Sequence, residues 1–129
     1  MDRSTPADAD FIEMIEACLD TVWSLEVLLL LRSRPDRSWS TTELVSELRS
    51  SELVVAQSIR HLIEAGLVVD DEAGAVRYSA VAHDLDAFAT RLENEYRTRP
   101  SYVRRIIVGR SNSKLTSFSN AFLLRKPPR

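Results

Sequence analysis

At 129 residues, 44% apolar and 28% charged, the chain has the size and composition of one globular domain with a real core. Its single cysteine, Cys18, excludes an internal disulfide and a thiolate metal cage, and its longest apolar run, Val27 to Leu31, falls far short of the roughly 20 residues that span a bilayer. The net charge of −2 conceals a split: residues 1–31 carry −6, residues 32–96 carry −5, and residues 97–129 carry +9 with no acid at all.

Met1 to Asp10 is acidic and polar and lacks the basic-then-apolar order of a signal peptide, so a soluble cytoplasmic protein without membrane contact is expected. From Asp10 onward, Phe11, Ile15, Cys18, Leu19 and Val22 recur at helical spacing. Trp23, Leu25 and Val27 to Leu31 follow, nearly apolar all round, as in a helix buried on most sides. One helix over 10–33 satisfies this pattern, and so do two with a break near Asp20-Thr21. Pro35 ends the run, and Asp36-Arg37 turn into a short strand at Ser38-Trp39.

Ser40-Thr41-Thr42-Glu43 is a capping box that opens a helix through Arg49, with Leu44, Val45 and Leu48 as its buried stripe. Ser50-Ser51 break that helix and cap a second over 51–65, whose Val55, Ile59, Leu62 and Ile63 face inward. Gly66 suits the left-handed residue just past a helix end. Leu67 to Val69, a turn over 70–74, and Ala75 to Tyr78 then form strand, turn and strand. His83-Asp84 begin another helix, with Leu85, Phe88, Ala89, Leu92 and Tyr96 on one side. Pro100 interrupts it, and Tyr102, Val103, Ile106 and Ile107 continue a helical pattern to Gly109. The last expected helix runs from Lys114 to Leu124 with Leu115, Phe118, Ala121 and Phe122 as its apolar side. The fold class is mainly α with a small antiparallel β-sheet: a winged helix-turn-helix over 24–80, between an acidic helical extension at 1–23 and a basic one at 81–129.

The run from Ser50 to Val68, and its Leu62-Ile63-Glu64-Ala65-Gly66-Leu67-Val68 ending above all, resembles the recognition helix and first wing strand of bacterial winged-helix transcriptional regulators, similar to MarR-like and ArsR-like proteins. The resemblance covers about residues 24–80. It implies a DNA-binding regulator of transcription in which the second helix of the motif enters the major groove of double-stranded DNA. Its exposed set is Ser51, Glu52, Leu53, Val54, Ala56, Gln57, Ser58, Arg60 and His61. The candidate DNA contacts are Thr41, Ser51, Gln57, Ser58, Arg60, His61 and Arg77, with Gln57 suited to adenine and Arg60 to a phosphate. The resemblance also implies a homodimer, with residues 10–22 and 83–124 as the helical interface.

The charges on the motif oppose this expectation. Asp70-Asp71-Glu72 put three acids where a DNA-binding wing usually offers cations, and phosphate contacts carry most non-specific affinity. Arg104, Arg105, Arg110 and Lys114 are candidate backbone contacts that would compensate. The rival is a protein-interaction module whose exposed Leu53, Val54 and Ala56 meet a partner, while the basic C-terminus grips an acidic protein.

Other features read as structure. Cys18 lies on an apolar stripe beside Glu16 and Asp20, which suits a core residue and not a low-pKa thiolate. His61 and His83 have no ligand spacing, so no metal is expected. Tyr102 and Phe118 fall on apolar stripes. Trp39 is expected to anchor the short strand to the wing, and Trp23 to pack between the N-terminal helix and the motif. No Gly-rich phosphate loop or nucleophile elbow is present, so neither an enzyme nor a cofactor is expected.

Overall fold

The computed structural model describes residues 6–71 and 73–109; the helix expected over 114–124, with Arg110, Lys114 and Phe118, lies outside the described residues. Helices α1 (Pro6–Cys18), α2 (Val22–Ser33), α3 (Thr41–Leu48) and α4 (Glu52–Glu64) precede strands β1 (Val68–Asp70) and β2 (Val76–Tyr78), and α5 (His83–Thr98) follows. A further helical stretch, α6, covers 100–109. The architecture is mainly helical with a two-stranded antiparallel sheet, in the order of a winged helix-turn-helix with helical extensions at both ends.

The chain between Cys18 and Val22 resolves the open alternative in favour of two helices. Thr21 is extended and its hydroxyl accepts from the Ser24 amide at 3.2 Å, which caps α2. Ser24 also donates to Asp20, so the break is stitched from both sides. Leu25, Val27, Leu28 and Leu31 of α2 are fully buried, and α2 packs on α3, α4 and β2 at the centre of the fold. Each such side chain contributes roughly 1.5–3 kcal/mol of burial.

The core is continuous. Phe11, Ile15, Cys18 and Leu19 of α1, Phe88, Ala89 and Leu92 of α5, and Val103 and Ile107 of α6 join the buried cluster of the motif. The extensions therefore form one unit with the winged helix. The apolar stripes of α1 and α5 meet each other within the chain, with the Phe11 and Phe88 rings 5.8 Å apart. Trp23 departs from expectation. It is 38% exposed, because Ser24 takes the inward place in the first turn of α2 and turns the indole toward solvent.

Gly66 is the hinge between α4 and the sheet. Its φ is +86°, its amide bonds Ile63 O at 3.0 Å, and the Leu67 amide bonds Leu62 O at 3.1 Å, which is a Schellman termination. A Cβ at this position would stand 2.8 Å from Val81 Cγ2 and 3.2 Å from Leu85 Cδ1. Backbone conformation and close packing both require glycine here. In the wing, Val68, Val69 and Asp70 pair with Tyr78, Arg77 and Val76. Trp39 adds a single antiparallel bridge to Val76, with N···O distances of 2.7 and 2.8 Å, so it anchors the sheet as expected, as one rung and not a full strand.

A half-buried arginine fastens α5 to the motif. Arg32, near the end of α2, has a side chain 14% exposed and bonds Glu93 at 3.2 Å, Asp86 at 3.5 Å and Thr90 Oγ1 at 3.2 Å. Its guanidinium also lies 5.0 Å from the centre of the Tyr78 ring, and the Tyr78 hydroxyl donates to Asp86 at 2.6 Å. Burial first, and then the bond to Asp86, push the Tyr78 hydroxyl up to about 12. A folded-state value raised above the unfolded value of about 10 means a contribution fully present below pH 10 and lost as pH rises through about 12. An ultraviolet titration is expected to show a tyrosine ionisation delayed to about pH 12 that disappears in Tyr78→Phe; its absence from the parent chain would contradict the burial argument.

Candidate nucleic-acid interface

The helix-turn-helix is built from two caps. Ser40 accepts from the Glu43 amide at 3.1 Å while Glu43 accepts from the Ser40 amide at 2.9 Å, completing the capping box that starts α3. The Ser40 amide, and secondarily Arg37, hold the Glu43 carboxyl below its ordinary range. Ser51 caps α4, its hydroxyl accepting from the Val54 amide at 3.2 Å. Between them Arg49 takes φ 55°, ψ 46°, a left-handed conformation uncommon for arginine, and closes the turn.

Helix α4 then shows two sides. Val55, Ser58, Ile59 and Leu62 are buried, while Glu52, Leu53, Ala56, Gln57, Arg60 and Glu64 are exposed. Ser58 is therefore a correction: at 2% exposure it cannot reach a base or phosphate, because it stands three residues after Val55 and four before Leu62, on the inward stripe. Val54 is half-buried, against its expected place in the exposed set. His61 is also half-buried, and its Nε2 is buried without a hydrogen-bond partner among the described residues, so it stands at the edge of the exposed side of α4 and not on it.

The remaining expected contacts divide into two groups. Thr41 and Arg60 come together in a groove of about 380 Å³ between α3, α4 and the wing, over a floor of Ala56, Ile59, Ile63 and Val76. Gln57 and Arg60 also face a polar recess of about 320 Å³ shared with Asp20, His61 and Glu64. Ser51 is exposed at the α4 tip, and Arg77 is exposed on β2 opposite Val69.

The acids do not all act alike. Asp71 is a turn residue: its Oδ1 accepts from the amides of Ala73 and Ala75, both at 2.9 Å, and its carbonyl accepts from Gly74 N, where φ is +88°. That carboxylate organises the wing turn. Glu64 and Asp70, by contrast, line the groove with no ion-pair partner among the described residues.

Three of the described cations of the C-terminal region engage neighbouring groups of α5 and α6. Arg97 donates to Asn94 at 2.7 Å, and Arg99 bonds Glu95 at 2.6 and 2.9 Å while lying 4.0 Å from the Tyr102 ring. Arg104 donates to the Tyr96 hydroxyl at 2.8 Å, which itself donates to Glu26 of α2 at 2.9 Å. Arg105 is exposed. Tyr102 is half-buried against the core, as its stripe position implied.

Two cations near the motif escaped the sequence reading. Arg37 stacks 3.7 Å over the Trp39 ring and bonds Glu43 at 2.8 Å, beside the N-terminus of α3. Arg49 is exposed in the turn that leads into α4. The signal for Arg49 was present: no glycine lies between Leu48 and Ser51, so an ordinary residue had to adopt the left-handed turn conformation.

The other reactive side chains fit structural roles. Cys18 is buried and burial pushes its thiol up, the opposite of a redox-active cysteine. No cluster of metal-ligating side chains and no helix long and apolar enough to cross a membrane occurs among the described residues. Compared with known proteins, the chain matches no family model, no curated protein and no solved structure.

Proposed function

We propose that this chain is a DNA-binding winged-helix regulator of transcription, similar in kind to MarR-like and ArsR-like proteins, that reads duplex DNA with α4. The observation that carries this reading is the presentation of α4. Its inward stripe is locked in the core and its start is capped at Ser51, while Gln57 and Arg60 stand exposed one turn apart on its outer side. A rigid, pre-ordered helix of this kind enters a major groove with little ordering cost. Arg60, Arg77, Arg49 and Arg37 are the cations nearest to hand for phosphates, with Thr41 and Ser51 as neutral donors. Arg104 and Arg105, followed by Arg110 and Lys114, would add backbone contacts.

A cytoplasmic homodimer belongs to the same reading. With the stripes of α1 and α5 covered within the chain, one surface along 10–22 and 83–98 that a second copy would meet is the α1–α5 cleft around Asp10, Met14, Asp84 and Arg91. Two-fold symmetry would set two α4 helices about one DNA turn apart.

A second reading has its own observation. Leu53 is 66% exposed at the tip of α4, and Glu64 and Asp70 stand beside the wing without an ion-pair partner among the described residues. These suit a protein partner better than a polyanion. Binding to random duplex DNA across a salt series separates the two. Affinity that falls steeply with salt supports DNA reading, and no binding at low salt leaves the protein-interaction module.

A further inference from the structure

The groove between α4 and the wing has a character that DNA reading does not use. Its floor is apolar, from Ala56, Ile59, Ile63 and Val76, and its volume of about 380 Å³ is that of a ligand cleft. Its rim carries the carboxylates of Glu64 and Asp70, neither paired with a described residue, and one cation, Arg60, which leaves the rim net acidic. Unpaired acids around an apolar slot match a segment that is both basic and amphipathic, since cations neutralise the rim while apolar side chains cover the floor.

The chain itself carries such a segment. Residues 110–129 hold Arg110, Lys114, Arg125, Lys126 and Arg129 without a single acid, and Leu115, Phe118 and Phe122 fall at the spacing of one helical stripe. Twenty residues following Gly109 reach, when extended, roughly 66 Å, more than the diameter of a domain of this size. Reach is therefore no obstacle.

We propose that the α4–wing groove is the docking site of the chain's own C-terminal segment, residues 110–129, with Phe118 and its stripe on the apolar floor and the flanking cations against Glu64 and Asp70. The docked segment covers Ala56 and Arg60, so it occupies the face proposed to read DNA and competes with it. The docking itself stands on the groove and the segment, independent of whether that face meets DNA.

The test uses the full chain in the absence of DNA, with a nitroxide spin label on Ser117→Cys and isotope-detected backbone amides; the parent chain, whose only thiol is the buried Cys18, is the labelling control. Loss of amide signal at Ala56, Arg60, Ile63 and Gly74 is expected. Those signals return in a Glu64→Lys, Asp70→Lys variant, whose exposed positions leave the core untouched, and in high salt. Undiminished signals at those four residues, or losses that persist in the charge-reversed variant, would overturn the proposal. Loss seen only when label and isotope are on different molecules would replace it with docking on a second copy. Failure of DNA binding would leave the result of this experiment unchanged.

Discussion

Arg32→Ala is expected to lower the stability of the protein by about 2–3 kcal/mol. Breaking a fully buried ion pair costs roughly 3–5 kcal/mol, and an exposed one less than about 1. Arg32 itself is largely covered, but Asp86 and Glu93 are 51% and 39% exposed and recover part of their hydration once the guanidinium is gone. The loss also includes the contact over Tyr78 and the bond to Thr90, which puts the effect between those limits. Against a typical total of about 5–15 kcal/mol this is a large fraction. Urea denaturation should show a lower midpoint with an unchanged slope, and amide exchange should accelerate first in α5, which loses its link to α2 and β2. A midpoint shift corresponding to less than about 0.5 kcal/mol would show that the apolar contacts of Phe88, Ala89 and Leu92 hold α5 without help.

The second large effect concerns α4. Replacing Arg60 and Gln57 together by Ala is expected to reduce duplex affinity about 10–100-fold, because one phosphate contact and one base contact are removed from a helix that otherwise keeps its fold. Both side chains are exposed, so stability should change little. The Arg60 substitution alone should make the salt slope shallower by about 0.9, the signature of one lost phosphate neutralisation. The Gln57 substitution should weaken binding without altering that slope. Equal affinities for parent and double variant would mean that α4 does not meet DNA.

Much of this architecture was legible from local chemistry. The capping box at Ser40–Glu43, the Ser51 cap and the Gly66 exit are satisfied by neighbours a few residues away, so sequence spacing alone defines them. The break between α1 and α2 was legible only as an alternative, although Thr21 is a capping residue type, because the apolar pattern runs through it without interruption. The candidate site was less legible, for physical reasons that differ by residue. Ser58 has the chemistry of a surface contact but the spacing of a core residue, and packing prevails over polarity in a helix anchored by Val55 and Leu62. Trp23 reads as core by size, yet the capping requirement of α2 sets Ser24 inward and the indole outward. The wing acids look equivalent in sequence, and only the hydrogen bonds of the turn show that Asp71 is structural while Asp70 faces the groove. The Arg99–Glu95 pair follows from i, i+4 spacing, whereas the contacts of Arg104 with Tyr96 and of Arg37 with Trp39 depend on how the chain packs.

The most direct test of the DNA-reading account is the affinity of the full chain for random duplex DNA measured from low to physiological salt. Four to six phosphate contacts predict a slope of log affinity against log salt between about −3.6 and −5.4, hence a loss of about 10²–10³-fold between 50 and 200 mM. A slope near zero, or no binding at the lowest salt, would contradict DNA reading by this fold and leave the α4–wing face to a protein partner.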